Sequence, residues 1–245
     1  MTDSSPIDLS VVIPIYNEEE NVKPLFDEVA AVMHGSEDRL GTWEILFIDD
    51  GSIDRSPQIL RELKGADSHV RVIRLLQNSG QSAAFQAGFH KARGAIVITM
   101  DGDRQNDPAD IPAMVSALED HDLVCGIRKK RRDTWIRRIS SKVGNGLRRT
   151  VTGDEIIDTG CSLKAFRRDI LLRLPLFNGM HRFLGTLMGY AGGRINQIPV
   201  NHRERTAGQS KYGVWNRVWV TSADLMAVFW MRRRWLRYQV EELTS

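Results

Sequence analysis

The stretch Met100-Asp101-Gly102-Asp103-Arg104-Gln105 closes the apolar run Ala95-Ile96-Val97-Ile98-Thr99. Two carboxylates two residues apart, at the carboxyl end of a buried strand, can project into one crevice and hold a hard divalent cation. In open α/β sheets that crevice is where ligands bind. Mg²⁺ and Mn²⁺ favour a few carboxylate oxygens together with diphosphate oxygens and water over an all-protein cage. The spacing of Asp101 and Asp103 therefore suggests a site for a nucleotide diphosphate. A polar exit from a strand is the plain alternative, and the elements around the pair weigh against it.

The chain opens with a short apolar run from Leu9 that ends at Pro14, then Ile15-Tyr16-Asn17-Glu18 and a helical pattern through Val22, Leu25, Phe26 and Val29. A second strand, Glu44 to Ile48, ends in Asp49-Asp50-Gly51-Ser52. A third, Val70 to Leu75, leads into Asn78-Ser79-Gly80 and a helix through Ala83, Ala84, Ala87 and Ala92. The Asp-x-Asp strand is the fourth. Strands alternating with helices predict an α/β fold, a parallel sheet with crossover helices. Polar signals recur at the ends of strands one, two and four, which packing alone does not require.

These segments carry a resemblance. Val12-Ile13-Pro14-Ile15-Tyr16-Asn17-Glu18, Ile48-Asp49-Asp50-Gly51-Ser52, Asn78-Ser79-Gly80 and Asp101-Gly102-Asp103-Arg104-Gln105 together resemble glycosyltransferase family 2. More narrowly they resemble its dolichyl- and polyprenyl-phosphate hexose synthases, from about Leu9 to about Gly213. The resemblance implies a GT-A fold: a mostly parallel central sheet flanked by helices, with an acceptor half in the same domain. With the charge and composition of the chain it gives a nucleotide-sugar half (1–127), a basic acceptor half of the same domain (128–213) and a C-terminal amphipathic, aromatic helical segment (214–245) that lies past the resemblance. It implies Mg²⁺ or Mn²⁺ on Asp101, Asp103 and Gln105, and a UDP- or GDP-sugar cradled by Pro14, Tyr16, Glu18, Asp49 and Asp50.

Charge follows the same division. Residues 1–127 hold 10 Lys/Arg and 22 Asp/Glu, whereas residues 128–245 hold 24 and 9. The overall +3 conceals an acidic half suited to a metal-nucleotide site and a basic half suited to an anionic acceptor, a membrane surface, or both. A nucleic-acid partner is not expected, because no nucleic-acid motif or series of stacking aromatics accompanies the charge.

The basic half begins at Val124-Cys125-Gly126-Ile127-Arg128, with Arg128 just beyond a fifth strand, and continues into a helical stretch from Trp135 to Arg149. By resemblance Arg128, Arg137 and Ser141 engage the phosphate of the lipid acceptor, with Arg138 as a register alternative. The i, i+4 spacing puts Arg137 and Ser141 on one helix face. Lys129 to Arg132 read as a solvated or lipid-facing loop. In Asp158-Thr159-Gly160-Cys161-Ser162-Leu163-Lys164, the resemblance puts Asp158 on the acceptor side, where it receives a proton, orients an arginine, or caps a turn before a strand at Leu163 to Phe166. Asp154 and Glu155 are weaker candidates. The last motif, Arg205-Thr206-Ala207-Gly208-Gln209-Ser210-Lys211, resembles a loop of the polyprenyl-phosphate branch in which Arg205 and Lys211 reach the diphosphate. Gly208 gives that loop freedom to close. The Gln-x-x-Arg-Trp signature of processive polysaccharide synthases is missing from the chain.

Cys125 and Cys161 are too few for a disulfide framework and suit a reducing compartment. The six histidines make no recognisable metal cluster, and His181 and His202 read as satisfied polar groups. No signal peptide or spanning helix is expected. Val214 to about Met231 reads as a mainly apolar helix, with Trp215, Trp219, Phe229 and Trp230 along it and Arg232-Arg233-Arg234 beyond. That composition suits peripheral contact with the cytoplasmic face of a membrane, or a helix packed on the core or against a second subunit of a homo-oligomer.

The expected activity is thus a metal-dependent inverting transfer of a hexose from a nucleotide diphosphate to a polyprenyl phosphate. Two other readings remain: a family 2 enzyme acting on a hydroxyl acceptor, with Asp158 or Asp154 as base, and a catalytically silent nucleotide-sugar-binding scaffold.

Overall fold

The computed structural model describes residues 7–129, 146, 148–175, 177–204 and 214–236, with only the backbone of 214–222. Its strands are β1 (Leu9–Ile15), β2 (Trp43–Asp49), β3 (Val70–Arg74), β4 (Ile96–Thr99), β5 (Leu123–Arg128), β6 (Lys164–Arg167) and β7 (Ile195–Val200). Its helices are α1 (Glu19–His34), α2 (Glu37–Leu40), α3 (Ser56–Ala66), α4 (Gln81–Lys91), α5 (Ile111–Ser116), α6 (Arg168–Leu171), α7 (Leu184–Tyr190) and α8 (Val214–Arg234).

The strands form one sheet in the order β3-β2-β1-β4-β6-β5-β7. Every neighbouring pair is parallel except those of β6, which runs antiparallel to both β4 and β5. The sheet is therefore mostly parallel, and the boundary at 127/128 lies inside it: β6 and β7 continue the same sheet.

The central strands read as continuous apolar runs because both faces are covered. On one face Val11, Ile13 and Ile15 pack with Val22, Leu25 and Val29 of α1. On the other, Val12, Leu46 and Ile48 pack with Phe85 and Phe89 of α4. Each fully buried side chain of this size contributes about 1.5–3 kcal/mol.

Pro14 interrupts β1 without harming the sheet. The β1–β4 ladder ends at Val12 and Thr99, and the Val12 carbonyl accepts from the Met100 amide. Pro14 points to the same side two residues later, where β4 has already turned away, so no ladder donor is lost. On its other side β1 continues with β2, and the Ile15 carbonyl accepts from the Asp50 amide at 2.8 Å.

The first five strands fall close to where the sequence predicts them, but β1 runs past Pro14 to Ile15, and Arg128 is the last residue of β5 rather than just beyond it. β6 is shifted one residue toward the C-terminus. β7 has no counterpart in the sequence reading. Its Asn196 and Gln197 blur the apolar pattern, and Pro199 is tolerated because β7 is an edge strand. No helix among the described residues is long and apolar enough to cross a membrane.

Candidate functional site

All the parallel strands deliver their carboxyl ends to one edge of the sheet, and the polar segments follow there. After β1, Asn17 adopts φ 51°, and its amide donates to Ser52 Oγ at 3.0 Å while its side-chain oxygen accepts from the Ile53 amide. The Glu18 amide donates to Ser56 Oγ at 3.0 Å, so the β1 and β2 exits are tied together. Glu18 itself accepts from Asn21 Nδ2 at the start of α1.

Asp49 and Asp50 have different duties. Asp49 is the last residue of β2 and buried; it accepts from the Ser52 amide at 2.9 Å and pairs with Arg74 at 3.2 Å. Asp50 reaches across to the β3 exit, accepting from the Ser79 amide at 2.7 Å, the Gly80 amide at 2.9 Å and Asn78 Nδ2 at 3.0 Å. Burial raises its carboxyl pKa, against the two amide hydrogen bonds that lower it. Just after them Gly51, at φ 71°, brings backbone so close to Gln77 that a Cβ there would lie 2.5 Å from the Gln77 carbonyl carbon.

The Asp-x-Asp turn is pressed against β1. A Cβ on Gly102 would meet Ile15 Cδ1 at 2.7 Å and the Pro14 carbonyl oxygen at 2.9 Å. Asp101 accepts from Gln81 Nε2 at 2.7 Å, and its amide donates to Asn106 Oδ1 at 3.2 Å. Asp103 is buried and accepts from the Gln105 amide at 3.2 Å. Burial first, and then the neighbouring Asp103 charge, push the Asp101 carboxyl above the ordinary carboxylate range. The turn is also clamped to the β7 exit: the Arg203 amide donates to the Gln105 carbonyl at 2.9 Å, and Asn106 bridges His202. Arg104, at φ 62°, pairs with Glu28, which also holds Arg203.

A cavity of about 900 Å³ opens between these exits. Asp101 and Gln105 wall it on one side, Arg128 and Thr159–Ser162 on another, and Asn78–Gln81 on a third. Pro14, Tyr16, Glu18, Asp49, Asp50 and Asp103 stand at the same edge of the sheet without lining this cavity. Arg128 and Asp158 form a bidentate pair, with Nε to Oδ2 at 2.7 Å and Nη2 to Oδ1 at 2.8 Å, on side chains only 14% and 11% exposed. Of the three roles open to Asp158 in the sequence, orienting an arginine is the one with a geometric basis.

Asp154 is a buried structural carboxylate. It accepts from Arg148 Nη1 at 2.8 Å and from the hydroxyls of Thr152 and Thr186. Arg137, Ser141, Arg205 and Lys211 lie outside the described residues, as do Arg138 and Gly208.

Polar groups that line the cavity but were not expected at the site include Gln81, Arg148, Lys164, His181 and the Arg182–Asp224 pair. Lys164 pairs with Thr99 across β6 and β4, is 3% exposed, and donates to the Cys161 carbonyl. A lysine amid apolar residues, as in Leu163-Lys164-Ala165-Phe166, was the available signal. His181 shares a hydrogen bond with Ser82 Oγ at 2.8 Å, and burial, then the Arg182 and Lys164 charges, push its pKa down to about 3.

The fold is shared with solved glycosyltransferase structures. A glucosyl-3-phosphoglycerate synthase from Mycobacterium tuberculosis, in complex with Mn²⁺, uridine diphosphate and glucosyl-3-phosphoglycerate, superposes with a TM-score of 0.68 over 92% of this chain and 80% of that one, at 21% identity. A dodecaprenyl-phosphate galacturonate synthase from Rhizobium johnstonii is 42% identical over 233 residues, 93% of this chain and 68% of the relative. An undecaprenyl-phosphate 4-deoxy-4-formamido-L-arabinose transferase from Edwardsiella ictaluri is 40% identical over 209 residues, 84% of this chain and 63% of the relative. A protein of the same name from Salmonella paratyphi A is 41% identical over 216 residues, 86% of this chain. The chain thus spans about two thirds of the length of these relatives. The family model described as glycosyl transferase family 2 matches residues 10–174, from the first strand through the Asp-x-Asp turn to just past β6, and the chain belongs to that family.

Proposed function

We propose that this protein is a metal-dependent inverting glycosyltransferase that moves a sugar from a nucleoside diphosphate (UDP or GDP) onto a polyprenyl phosphate. The observation that carries the reading is one cavity walled by Asp101 and Gln105 on the β4 side and by the Asp158-braced Arg128 on the β5 side. The relatives named above, which act on polyprenyl phosphates by name, support the acceptor class.

The residues fit a hard cation. Two carboxylates and an amide oxygen are oxygen donors of the right kind, and burial and the neighbouring carboxylate of Asp103 both raise the Asp101 pKa. Asp101, Asp103 and Gln105 would hold Mg²⁺ or Mn²⁺, which when bound supplies positive charge to the departing diphosphate.

The rest is work for the protein's own groups. Pro14, Tyr16, Glu18, Asp49 and Asp50 form the nucleotide cradle, Asp49 and Asp50 by holding the β2 and β3 exits in place. Arg128, with Arg137 and Ser141, holds the acceptor phosphate in line with the anomeric carbon. Asp158 is a positioning residue, keeping the Arg128 fork turned and charged. Arg205 and Lys211 neutralise the diphosphate; the chain enters their loop from beside Gln105, where Arg203 is tethered. A phosphate acceptor is already anionic near neutral pH and needs no strong base, so positioning and charge stabilisation supply most of the rate.

A hydroxyl acceptor would need a general base. Asp158 and Asp154, the two carboxylates considered for it, are both engaged by arginines in the described structure. That favours the phosphate reading. The same proposal makes the protein peripheral at the cytoplasmic face of a membrane: Met226 and Trp230 are exposed on α8, next to Arg232–Arg234. A homo-oligomer that presents this helix to lipid is compatible with it.

The test is direct. Purified protein, Mn²⁺, a polyprenyl phosphate and a panel of nucleotide sugars should yield a glycolipid identifiable by mass. Asp103→Asn should abolish its formation with the melting temperature nearly unchanged. Undiminished turnover in that variant removes the metal role, and binding of a nucleotide sugar without release of nucleoside diphosphate would favour a silent scaffold.

A further inference from the structure

His34, Glu37, Asp67 and His69 come from the ends of four elements and converge at the opposite edge of the sheet from the cavity. His34 ends α1, Glu37 opens α2, Asp67 caps α3 and His69 immediately precedes β3. We propose that they form a second metal site, of the mixed imidazole and carboxylate type that takes Zn²⁺. The histidines show no metal-ligand spacing along the sequence; the fold brings two of them together.

Three observations support it. Donor atoms of His34, Asp67 and His69 all lie within 4.8 Å of one another. A tetrahedral Zn²⁺ with bonds of about 2.0–2.1 Å needs its donors roughly 3.3 Å apart, so modest ring rotation closes the set. The His34 and His69 side chains are 52% and 36% exposed, which leaves room for that rotation.

The rings also share a packing partner, which keeps them side by side. Buried Trp43, the first residue of β2, stacks on His69 with centroids 4.0 Å apart and meets His34 edge-on at 5.0 Å. The two imidazoles stand perpendicular to each other, 5.5 Å apart. The His69 amide donates to Asp67 Oδ1 at 2.8 Å, and its carbonyl accepts from Ile45 in β2, so the backbone of this donor is fixed.

Finally, each imidazole already has a carboxylate. His34 Nδ1 lies 2.8 Å from Glu37 Oε1, and His69 Nδ1 lies 2.9 Å from Asp67 Oδ1. Glu37 supplies the fourth donor, as a ligand or as the group that orients His34. Two neutral nitrogens and two carboxylates make a charge-neutral site with a divalent ion. Nitrogen donors favour Zn²⁺, Co²⁺ or Ni²⁺ over Mg²⁺, which distinguishes this site from the all-oxygen donors at Asp101 and Asp103. Bound metal would clip the ends of α1 and α3 to the start of β3. The competing account is a pair of solvent-screened histidine–carboxylate contacts without metal.

The experiment uses chelator-treated full chain carrying Asp103→Asn, which breaks the carboxylate pair beside the sugar-nucleotide cavity. Zn²⁺ binding is followed by calorimetry and Co²⁺ binding by visible absorption. One saturable Zn²⁺ site and an intense four-coordinate Co²⁺ spectrum are expected. Zn²⁺ at about 100 times its dissociation constant should raise the melting temperature by roughly 5–10 °C. His34→Gln with His69→Gln should abolish all three signals. Because both rings pack on Trp43, Asp67→Asn serves as a second variant that leaves the stack intact, with affinity at least about tenfold weaker. No saturable binding in the Asp103→Asn protein, or binding unaltered in both histidine and Asp67 variants, overturns the site.

Discussion

Asp158→Asn separates the two roles a carboxylate can have beside Arg128. Both side chains are mostly buried, and Asp158 accepts two charge-assisted hydrogen bonds from the guanidinium. Asparagine keeps one acceptor but presents an N–H₂ to the other donor and removes the charge. Breaking a fully buried pair from one side costs about 3–5 kcal/mol. The residual exposure of this pair reduces that to about 2–3 kcal/mol, which for a chain of this size lowers the melting temperature by roughly 4–12 °C. If Asp158 acts by holding Arg128, the kinetic loss falls on the acceptor: KM for the polyprenyl phosphate rises and the pH dependence of kcat keeps its shape. The effects of Asp158→Asn and Arg128→Ala should then be non-additive, with a coupling of about 0.5–3 kcal/mol in a double-mutant cycle. Steady-state assays with acceptor varied, alongside thermal melts of the four proteins, measure all of this. A loss confined to kcat, on the order of 10²–10⁴-fold, with acceptor KM unchanged and additive with Arg128→Ala, would identify a general base and refute the positioning argument.

Two further predictions test neighbouring parts of the site. Gly102→Ala forces a methyl against the Pro14 carbonyl, which is backbone and cannot swing aside; overpacking should cost about 1–3 kcal/mol and weaken Mn²⁺ binding, and wild-type affinity in titrations would contradict the tight β1 contact. His181 should make stability pH-dependent. Its folded pKa of about 3 lies below the ordinary 6.5, so between these values the unfolded chain binds a proton that the folded chain does not. Stability therefore falls as pH drops through that window, by up to about 1.4 kcal/mol per pH unit, and is fully present above it. His181→Gln, which retains a polar partner for Ser82, should flatten the slope in denaturant melts between pH 4 and 7; identical slopes would sink the assignment.

Much of the nucleotide half was legible in the residues. β1, β2 and β4 are largely apolar runs with polar punctuation at their carboxyl ends, β3 alternates Val70 and Val72 with arginine, and in a parallel sheet all such ends meet at one edge. The Asp-x-Asp pair was therefore locatable before its neighbours were known. β6 and β7 were harder. Lys164–Arg167 carries charge at both ends, Ile195–Val200 mixes polar residues into an edge strand, and the insertion of β6 antiparallel between β4 and β5 follows from packing rather than from any local pattern.

What the sequence determined by itself is the set of elements and the chemistry waiting at their ends, because burial imprints a period on neighbouring residues. Which distant side chains meet was left to the tertiary structure. Arg128 finds Asp158 thirty positions away, Asp49 turns to Arg74 while Asp50 secures Ser79 and Gly80, and Lys164 is carried to the wall beside Asp101. His34, Asp67 and His69 are drawn around Trp43 in the same way. Contacts of this kind depend on strand order, register and the path of the connecting chain, and no short window of sequence contains those variables.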